Sequence, residues 1–160
     1  RIADRLGSYP QVRHHVTRSL AEAEALAPQL AVGNPDVVVI NLGTNDFSTR
    51  PYPHKSVFQN GYEELLKRIR DAYGEIPVFC VVGPLTNEPC HRYVKEMVNQ
   101  FNVLQNDGNV HFVGMPPVLL NENEDLGSDS HPSYQGQKKM ARMMVPLIGT
   151  ATGWKAGGIE

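Results

Sequence analysis

The chain has 160 residues, 41% of them apolar, and a formal net charge of −2, which is ordinary for one globular domain with a real core. This charge balance lacks the basic excess that nucleic acid or an anionic membrane surface would attract, so we expect neither partner. No apolar run approaches the roughly 18 residues of a membrane span. No secretory signal is visible, but the chain starts at Arg1 rather than at Met, so the sequence leaves the localisation open.

Strand-like and helix-like apolar patterns alternate along the chain. Three segments predict buried strands at residues 36–42, 76–82 and 110–113, and the first two are rich in β-branched residues. Four apolar stripes at helical spacing predict helices at residues 12–30, 62–73, 94–101 and 140–147. The first two strand runs are continuously apolar, which is typical of parallel strands that are covered on both faces.

Capping residues set the expected helix boundaries. Ser8 with Gln11, and Ser56 with Gln59, have the spacing of a capping box, and Gly74 is a typical stop signal.

The two later helices have boundary signals of other kinds. Residues 106–108 (Asn-Asp-Gly) end the third helix, Ser133 begins the fourth, and Pro146 is expected to disturb it. Residues 149–160 are expected to form an extended or flexible tail.

The alternating order predicts an α/β fold with right-handed crossovers. We expect a three-layer, flavodoxin-like parallel sheet with helices on both faces, formed by a single domain at residues 1–148. Ligands of such sheets bind beyond the carboxyl ends of the strands. Two polar segments are expected at that edge.

The first polar segment, Asn41-Leu42-Gly43-Thr44-Asn45-Asp46, directly follows the first strand. Glycine allows the backbone to approach a ligand closely, and an asparagine amide can donate a hydrogen bond to negative charge that develops on a carbonyl oxygen. The segment also has the composition of an ordinary strand-to-loop turn with local Asx hydrogen bonds. Taken alone, it does not decide between these two interpretations.

The second polar segment, Ser128-Asp129-Ser130-His131-Pro132, lies at the entrance of the last helix. A histidine there can take a proton from a hydroxyl group and return it to a leaving group, provided that another group holds its second ring nitrogen. A surface loop histidine without catalytic function is the alternative.

Together the two segments resemble the SGNH (GDSL-type) ester hydrolases. Gly43-x-Asn45-Asp46 is similar to the third sequence block of that family, and His131-Pro132 is similar to the fifth. More narrowly, residues 35–48, 79–84 and 127–132 look like the second family of carbohydrate esterases, which remove acetyl groups from plant polysaccharides such as xylan and glucomannan. The resemblance covers residues 35–145.

The resemblance implies a role for each matching residue. Asn45 would be the oxyanion donor, His131 the general base and acid, and Gly43 and Asp46 would shape the substrate-binding turn. The usual acid stands three residues before the histidine, where this chain has Ser128. Asp129 therefore ranks third among the catalytic candidates, acting through its carboxylate or its main-chain carbonyl, as in a Ser-His dyad.

The family's serine block, Gly-Asp-Ser after the first strand, is missing from the sequence. Gly7-Ser8 and Gly127-Ser128 do not have the pattern of a nucleophile elbow. Three explanations are open: the fold is incomplete at its N-terminal side, a second chain supplies the serine, or the protein is a relative without a nucleophile. The first two explanations predict carbohydrate deacetylation. The third predicts an inactive carbohydrate-binding or protein-interaction module.

The expected partners follow from this interpretation. They are an acetylated carbohydrate or a small ester, and a segment or second chain that carries the serine. A three-stranded sheet would also expose the edge of the strand at residues 36–42, through which copies could associate. The resemblance further implies an extracellular location and no cofactor.

A few remaining side chains could belong to a site. Cys80 is expected in the core, and a disulfide between Cys80 and Cys90 stays open. His54 and His91 are candidates for the wall of a cleft, whereas His111 is expected in the core.

Three aromatic residues, Tyr52, Tyr93 and Trp154, could stack on sugar rings, although core packing or incidental exposure is expected for each. No histidine or carboxylate spacing indicates a metal site.

Overall fold

The computed structural model describes residues 34–86 and 88–155. Within them, three parallel strands form a sheet in the order β1 (Val38–Asn41), β2 (Val78–Val82), β3 (Val110–Gly114). Three α-helices alternate with or follow the strands: α1 (Lys55–Tyr73), α2 (Cys90–Gln105) and α3 (Tyr134–Thr152). The predicted α/β fold with a parallel sheet is thus confirmed. The helix predicted at residues 12–30, with its start at Ser8 and Gln11, lies outside the described residues.

The sheet separates two apolar clusters, which makes the fold three-layered. Residues alternate between the faces of β2: Val78, Cys80 and Val82 point to the cluster that contains α1 and α2. Phe79 and Val81 point to the cluster that contains Met144 of α3. Because all of β2 is buried, its continuous apolar run correctly indicated a strand covered on both faces.

Strand β1 is covered less completely than predicted. Ile40 is buried against α1 and α2, but Val39 is 47% exposed and Asn41 is also exposed. The register pairs Val39 with Phe79, so Val39 lies on the α3 face of the sheet. The expectation of burial on both faces is therefore wrong for β1. Among the described strands β1 lies at the edge, where Val39 and Asn41 have no complete covering layer.

The expected start of α1 is also corrected. Its N-cap is His54, without a side-chain capping bond. Ser56 Oγ instead lies 2.9 Å from His54 Nδ1, and Gln59 donates to the Tyr93 carbonyl at 2.8 Å. Gln59, which a capping box would need at the start of α1, is thus bonded to α2 instead. The stop signal is confirmed, since Gly74 follows the helix at a φ of 69°.

The later boundaries agree better with the sequence. Helix α2 ends at Asn106 in the left-handed region, with a φ of 50°, within the predicted Asn-Asp-Gly stop. Ser133 is the N-cap of α3, and its Oγ accepts from the Gly136 amide at 3.3 Å. Helix α3 continues past Pro146 to Thr152, so the tail predicted from residue 149 begins too early.

No helix in the described part of the chain has the combined length and apolar composition that a membrane crossing needs.

Candidate active site

The turn after β1 depends on Gly43 for two independent reasons. Its φ of 109° lies in a region that side-chain-bearing residues rarely adopt. A methyl group at this position would also lie 2.5 Å from Cys90 Sγ. Only glycine therefore lets the chain turn directly above the start of α2, which places the following polar residues at the carboxyl edge of the sheet.

A hydrogen bond between two threonines joins the ends of β1 and β2. Thr44 Oγ1 and Thr86 Oγ1 are 2.7 Å apart, and Thr86 is buried. No motif predicts this contact; Thr86 only stands shortly after Gly83-Pro84 in the chain. Asn45, the predicted oxyanion donor, is exposed, and its main-chain carbonyl accepts from Ser48 Oγ at 2.9 Å. Asp46 is half-buried in the same turn.

An aromatic cluster anchors this turn from below. Phe47 is completely buried, and its ring centroid lies 4.9 Å from that of Phe58, 5.5 Å from Tyr52 and 5.8 Å from Tyr93. Tyr52 and Tyr93 thus pack against the turn and are partly buried, which is the first of the two alternatives expected for them, core packing. Their contribution is to fix Asn45 and Asp46, which stand immediately before Phe47 in the chain.

The loop that carries His131 is closed by its own backbone. Gly127 N donates to the His131 carbonyl at 2.7 Å, and His131 N donates to the Ser128 carbonyl at 3.1 Å. The imidazole is exposed, and its Nδ1 lies 3.3 Å from that same Ser128 oxygen. A carbonyl oxygen can only accept, so this contact requires the proton on Nδ1 and leaves Nε2 as the basic nitrogen.

Asp129 and Ser130 adopt left-handed backbone conformations, with φ of 52° and 58°. Such residues cost about 1–2 kcal/mol each in backbone strain, and they concentrate at functional sites. The main-chain oxygen at the histidine ring belongs to Ser128 and not, as expected, to Asp129. A catalytic role of the exposed Asp129 side chain stays a prediction.

Both polar segments lie beyond the carboxyl edge of the sheet. The Gly43 turn follows β1 directly, and a methyl group on Gly83, just after β2, would lie 4.0 Å from Cε of Met140. Met140 is thus at the carboxyl end of β2, and Met144, one turn later, packs with the middle of the sheet. Helix α3 therefore runs antiparallel to the strands, which places His131, before its first turn, beyond the edge.

An ion pair between the buried Asp125 and the partly exposed Lys139 holds the histidine loop against α3. Asp125 is 1% exposed, and its Oδ2 accepts from Lys139 Nζ at 2.5 Å and from the Asn121 amide at 2.6 Å. The hydrogen bond from the Asn121 amide has the largest effect on the pKa of the Asp125 carboxyl, followed by the bond from Lys139, and both lower it below its ordinary value. The Asp125 carbonyl also accepts from Ser133 N at 2.6 Å. No motif or spacing in the sequence predicts this ion pair.

A cleft opens at the carboxyl ends of β2 and β3, next to the threonine pair. It has a volume of about 320 Å³, and Thr86, Glu88, His91 and Pro116 are among the residues that line it. The prediction that His91 borders a cleft is thereby confirmed. His54 instead caps α1, and His111 packs on Phe79 with 5.0 Å between ring centroids.

The two cysteines are free and buried. Burial raises the pKa of the Cys90 thiol to about 12, with Asp46 and Glu88 adding to the effect. Burial likewise raises the pKa of Cys80 to about 12. Both thiols are therefore protonated at neutral pH, which disfavours either of them as a nucleophile. In residues 34–86 and 88–155, no three His, Cys, Asp or Glu side chains are grouped to hold a metal ion.

Comparison with known proteins places these features in a family. Residues 2–139 match the model of the GDSL-like lipase/acylhydrolase family. The chain is 38% identical, over 124 residues, to the cellulase/esterase CelE of Acetivibrio thermocellus, covering 75% of this chain and 15% of that protein.

Solved structures have the same fold. A family two carbohydrate esterase from Clostridium thermocellum, in complex with cellohexaose, matches with a TM-score of 0.70 and 35% identity over 79% of this chain and 39% of its own. An acetyl xylan esterase from the rumen bacterium Butyrivibrio proteoclasticus shares the fold at 18% identity, with a TM-score of 0.65, over 79% of this chain and 39% of its own. The chain thus spans well under half the length of these relatives. On the family match and the identity to carbohydrate esterases, it belongs to the GDSL-like lipase/acylhydrolase family.

Proposed function

We propose that the protein takes part in the hydrolysis of acetyl esters on a carbohydrate, with His131 as proton shuttle and Asn45 as oxyanion donor. The observation that carries this proposal is the contact of His131 Nδ1 with the Ser128 carbonyl, which directs the basic Nε2 away from the loop. The identity to family two carbohydrate esterases supports a carbohydrate ester as the substrate. The more specific part of the proposal is that this carbohydrate is a polymer of xylan or glucomannan type.

The reaction needs a serine that no Gly-Asp-Ser block of this sequence provides. We infer that another segment or a second chain supplies it at the carboxyl edge of the sheet, beside β1. There His131 Nε2 would take the hydroxyl proton as the serine oxygen attacks the ester carbonyl. The Asn45 amide would donate to the oxyanion, and the imidazolium would give the proton to the departing sugar oxygen. His131 would then take a proton from water as that water attacks the acetyl-serine, which releases acetate and returns the proton to the serine oxygen.

The main-chain carbonyl of Ser128 would perform the orienting function of the triad acid. It fixes the tautomer and the ring orientation of His131, as a carboxylate does in a full triad. A carbonyl carries only a partial charge, so it stabilises the imidazolium less than a carboxylate would. The Asp129 carboxylate is the one acidic side chain within the Ser128–Ser130 turn that could add to that stabilisation.

A chromogenic acetyl ester tests the proposal directly. Turnover is expected when the chain is combined with an N-terminal segment that carries a Gly-Asp-Ser block, and it should disappear with His131→Ala. His111→Ala is the matched control, since that histidine packs on Phe79 of the sheet. Absence of turnover from the combined, folded protein would refute the proposal.

The missing serine block supports a second candidate, a carbohydrate-binding module without catalysis. This candidate predicts binding of an oligosaccharide that is insensitive to His131→Ala, with no ester turnover even after the N-terminal segment is added. The same two measurements therefore separate the two functions.

A further inference from the structure

The cleft between the ends of β2 and β3 contains polar groups that no step of the proposed reaction uses. Its volume of about 320 Å³ lies at the lower end of the roughly 300–1,000 Å³ of small-ligand pockets, which corresponds to one ring-sized group. Thr86 lines the cleft, and its hydroxyl oxygen also lies 2.7 Å from that of Thr44, in the turn that carries Asn45. The cleft therefore adjoins the candidate active site.

His91 is placed in the wall of this cleft by close packing. A methyl group on Gly114 would lie 3.0 Å from His91 Nδ1, so glycine at this position leaves the room that the ring occupies. The ring also meets Phe112 nearly edge-on, at an interplanar angle of 80°. His91 is half-buried and forms no hydrogen bond with any residue in the described part of the chain. No hydrogen bond within the described residues therefore occupies its ring nitrogens, and an imidazole can both donate and accept.

The other lining groups narrow the class of ligand. Glu88 adds a carboxylate, which accepts hydrogen bonds from hydroxyl groups and repels anions. Met115, Pro116 and Pro117 add apolar surface. A neutral pyranose has hydroxyl groups around an apolar ring face and therefore matches this lining. A phosphate or a uronic acid would be repelled by the Glu88 carboxylate.

We propose that the cleft binds one neutral sugar ring next to the acetylated residue, with Glu88 and His91 as the side chains that recognise its hydroxyl groups. This inference rests on the proposed function, because it takes the ester to be part of a carbohydrate. It makes Glu88 and His91 specificity residues rather than catalytic ones. It also predicts that an oligosaccharide bearing uronic acids binds more weakly than a neutral one.

Calorimetric titration of the full chain with cellohexaose tests the inference. Glu88→Gln replaces a charged acceptor with a neutral one and His91→Ala removes a hydrogen bond, and each is expected to weaken binding at least about fivefold. The matched control is Glu75→Gln, an exposed glutamate that precedes β2 at the opposite end of the sheet, and it should bind as the wild type does. In the wild type, the amide signals of Gly114 and Met115 should shift on titration.

The amide signals keep the test valid even if His91→Ala fails to fold. Wild-type protein that does not bind cellohexaose, or variants that bind it unchanged, would overturn the cleft assignment. Binding needs no serine, so intact binding without ester turnover would refute the proposed function alone. Ester turnover, together with unchanged cellohexaose binding by the Glu88 and His91 variants, would refute only the proposed role of the cleft.

Discussion

Lys139 on α3 donates a 2.5 Å hydrogen bond to the carboxylate of Asp125, which is 1% exposed and lies six residues before His131. The same carboxylate accepts from the Asn121 amide, so one buried group closes the loop and attaches it to the helix. Removing the Asp125 carboxylate would take away both the acceptor of the Asn121 amide and the counter-ion of Lys139. The position of the catalytic candidate His131 therefore depends on an ion pair that takes no part in the chemistry.

Replacing Asp125 with asparagine should lower the melting temperature at neutral pH by several degrees, because Lys139 loses its charged partner. The pKa of Asp125 is lowered on folding, so its stabilising contribution is present above the pKa of the unfolded chain and is lost as pH falls through the folded value. The difference between variant and wild type should shrink below about pH 4. Thermal unfolding followed by circular dichroism at pH 7 and pH 3 measures it.

Asp71→Asn, at an exposed position on α1, is the matched control and should leave the melting temperature unchanged. A difference for Asp125→Asn that stays constant between pH 7 and pH 3 would contradict the assigned role of the ion pair.

Gly43→Ala should destabilise the protein by at least about 2 kcal/mol, from an unfavourable φ and from collision with Cys90. The double variant Gly43→Ala/Cys90→Ala removes the collision but not the backbone strain. Urea unfolding should therefore find it less destabilised than the sum of the two single variants. Strict additivity would count against the contact between Gly43 and Cys90.

The threonine pair can be measured with a double-mutant cycle. Thr44→Val and Thr86→Val each remove one hydroxyl while nearly preserving shape, and each should cost about 1 kcal/mol of unfolding free energy. Since the two hydroxyls bond to each other, the second substitution should cost less once the first is made. Equal costs in both backgrounds would show that the pair is uncoupled.

Asn45→Ala should lower kcat for an acetyl ester about 10²–10³-fold and change KM little, because an oxyanion donor acts mainly in the transition state. The measurement uses the chain combined with the serine-bearing segment. Asn99→Ala, at an exposed position of α2, serves as control. A rise in KM with unchanged kcat would instead make Asn45 a substrate-binding residue.

Asp129→Asn tests whether the carboxylate itself is needed. Asparagine tolerates the left-handed conformation that Asp129 adopts, so the loop should keep its structure. Because the Ser128 carbonyl holds the histidine ring, we expect the variant to retain at least about a tenth of wild-type kcat, within the range that a lost auxiliary charge would give. A loss as large as that of His131→Ala would assign the acid role to the Asp129 side chain.

Local chemistry made much of the fold predictable from the sequence. Apolar runs identified the three strands, two of them continuous and rich in β-branched residues. Gly74 and Ser133 marked helix ends, because backbone conformation and capping bonds act over a few residues. The expectation that Asn45 lies at the site followed from the rule that ligands of parallel sheets bind beyond the carboxyl ends of the strands. The capping box at Ser56 failed, since Gln59 bonds instead to Tyr93 on the next helix.

By itself, the sequence determined the alternating fold and the residue types of the site, since periodicity and turn chemistry are local. Only the tertiary structure decided which groups hold them in place. The Ser128 carbonyl at the His131 ring, the Thr44–Thr86 bond and the Asp125–Lys139 pair join residues through backbone geometry or across 14 to 42 positions of the chain. Such contacts leave no periodic pattern, because their partners meet only after the strands and helices have packed.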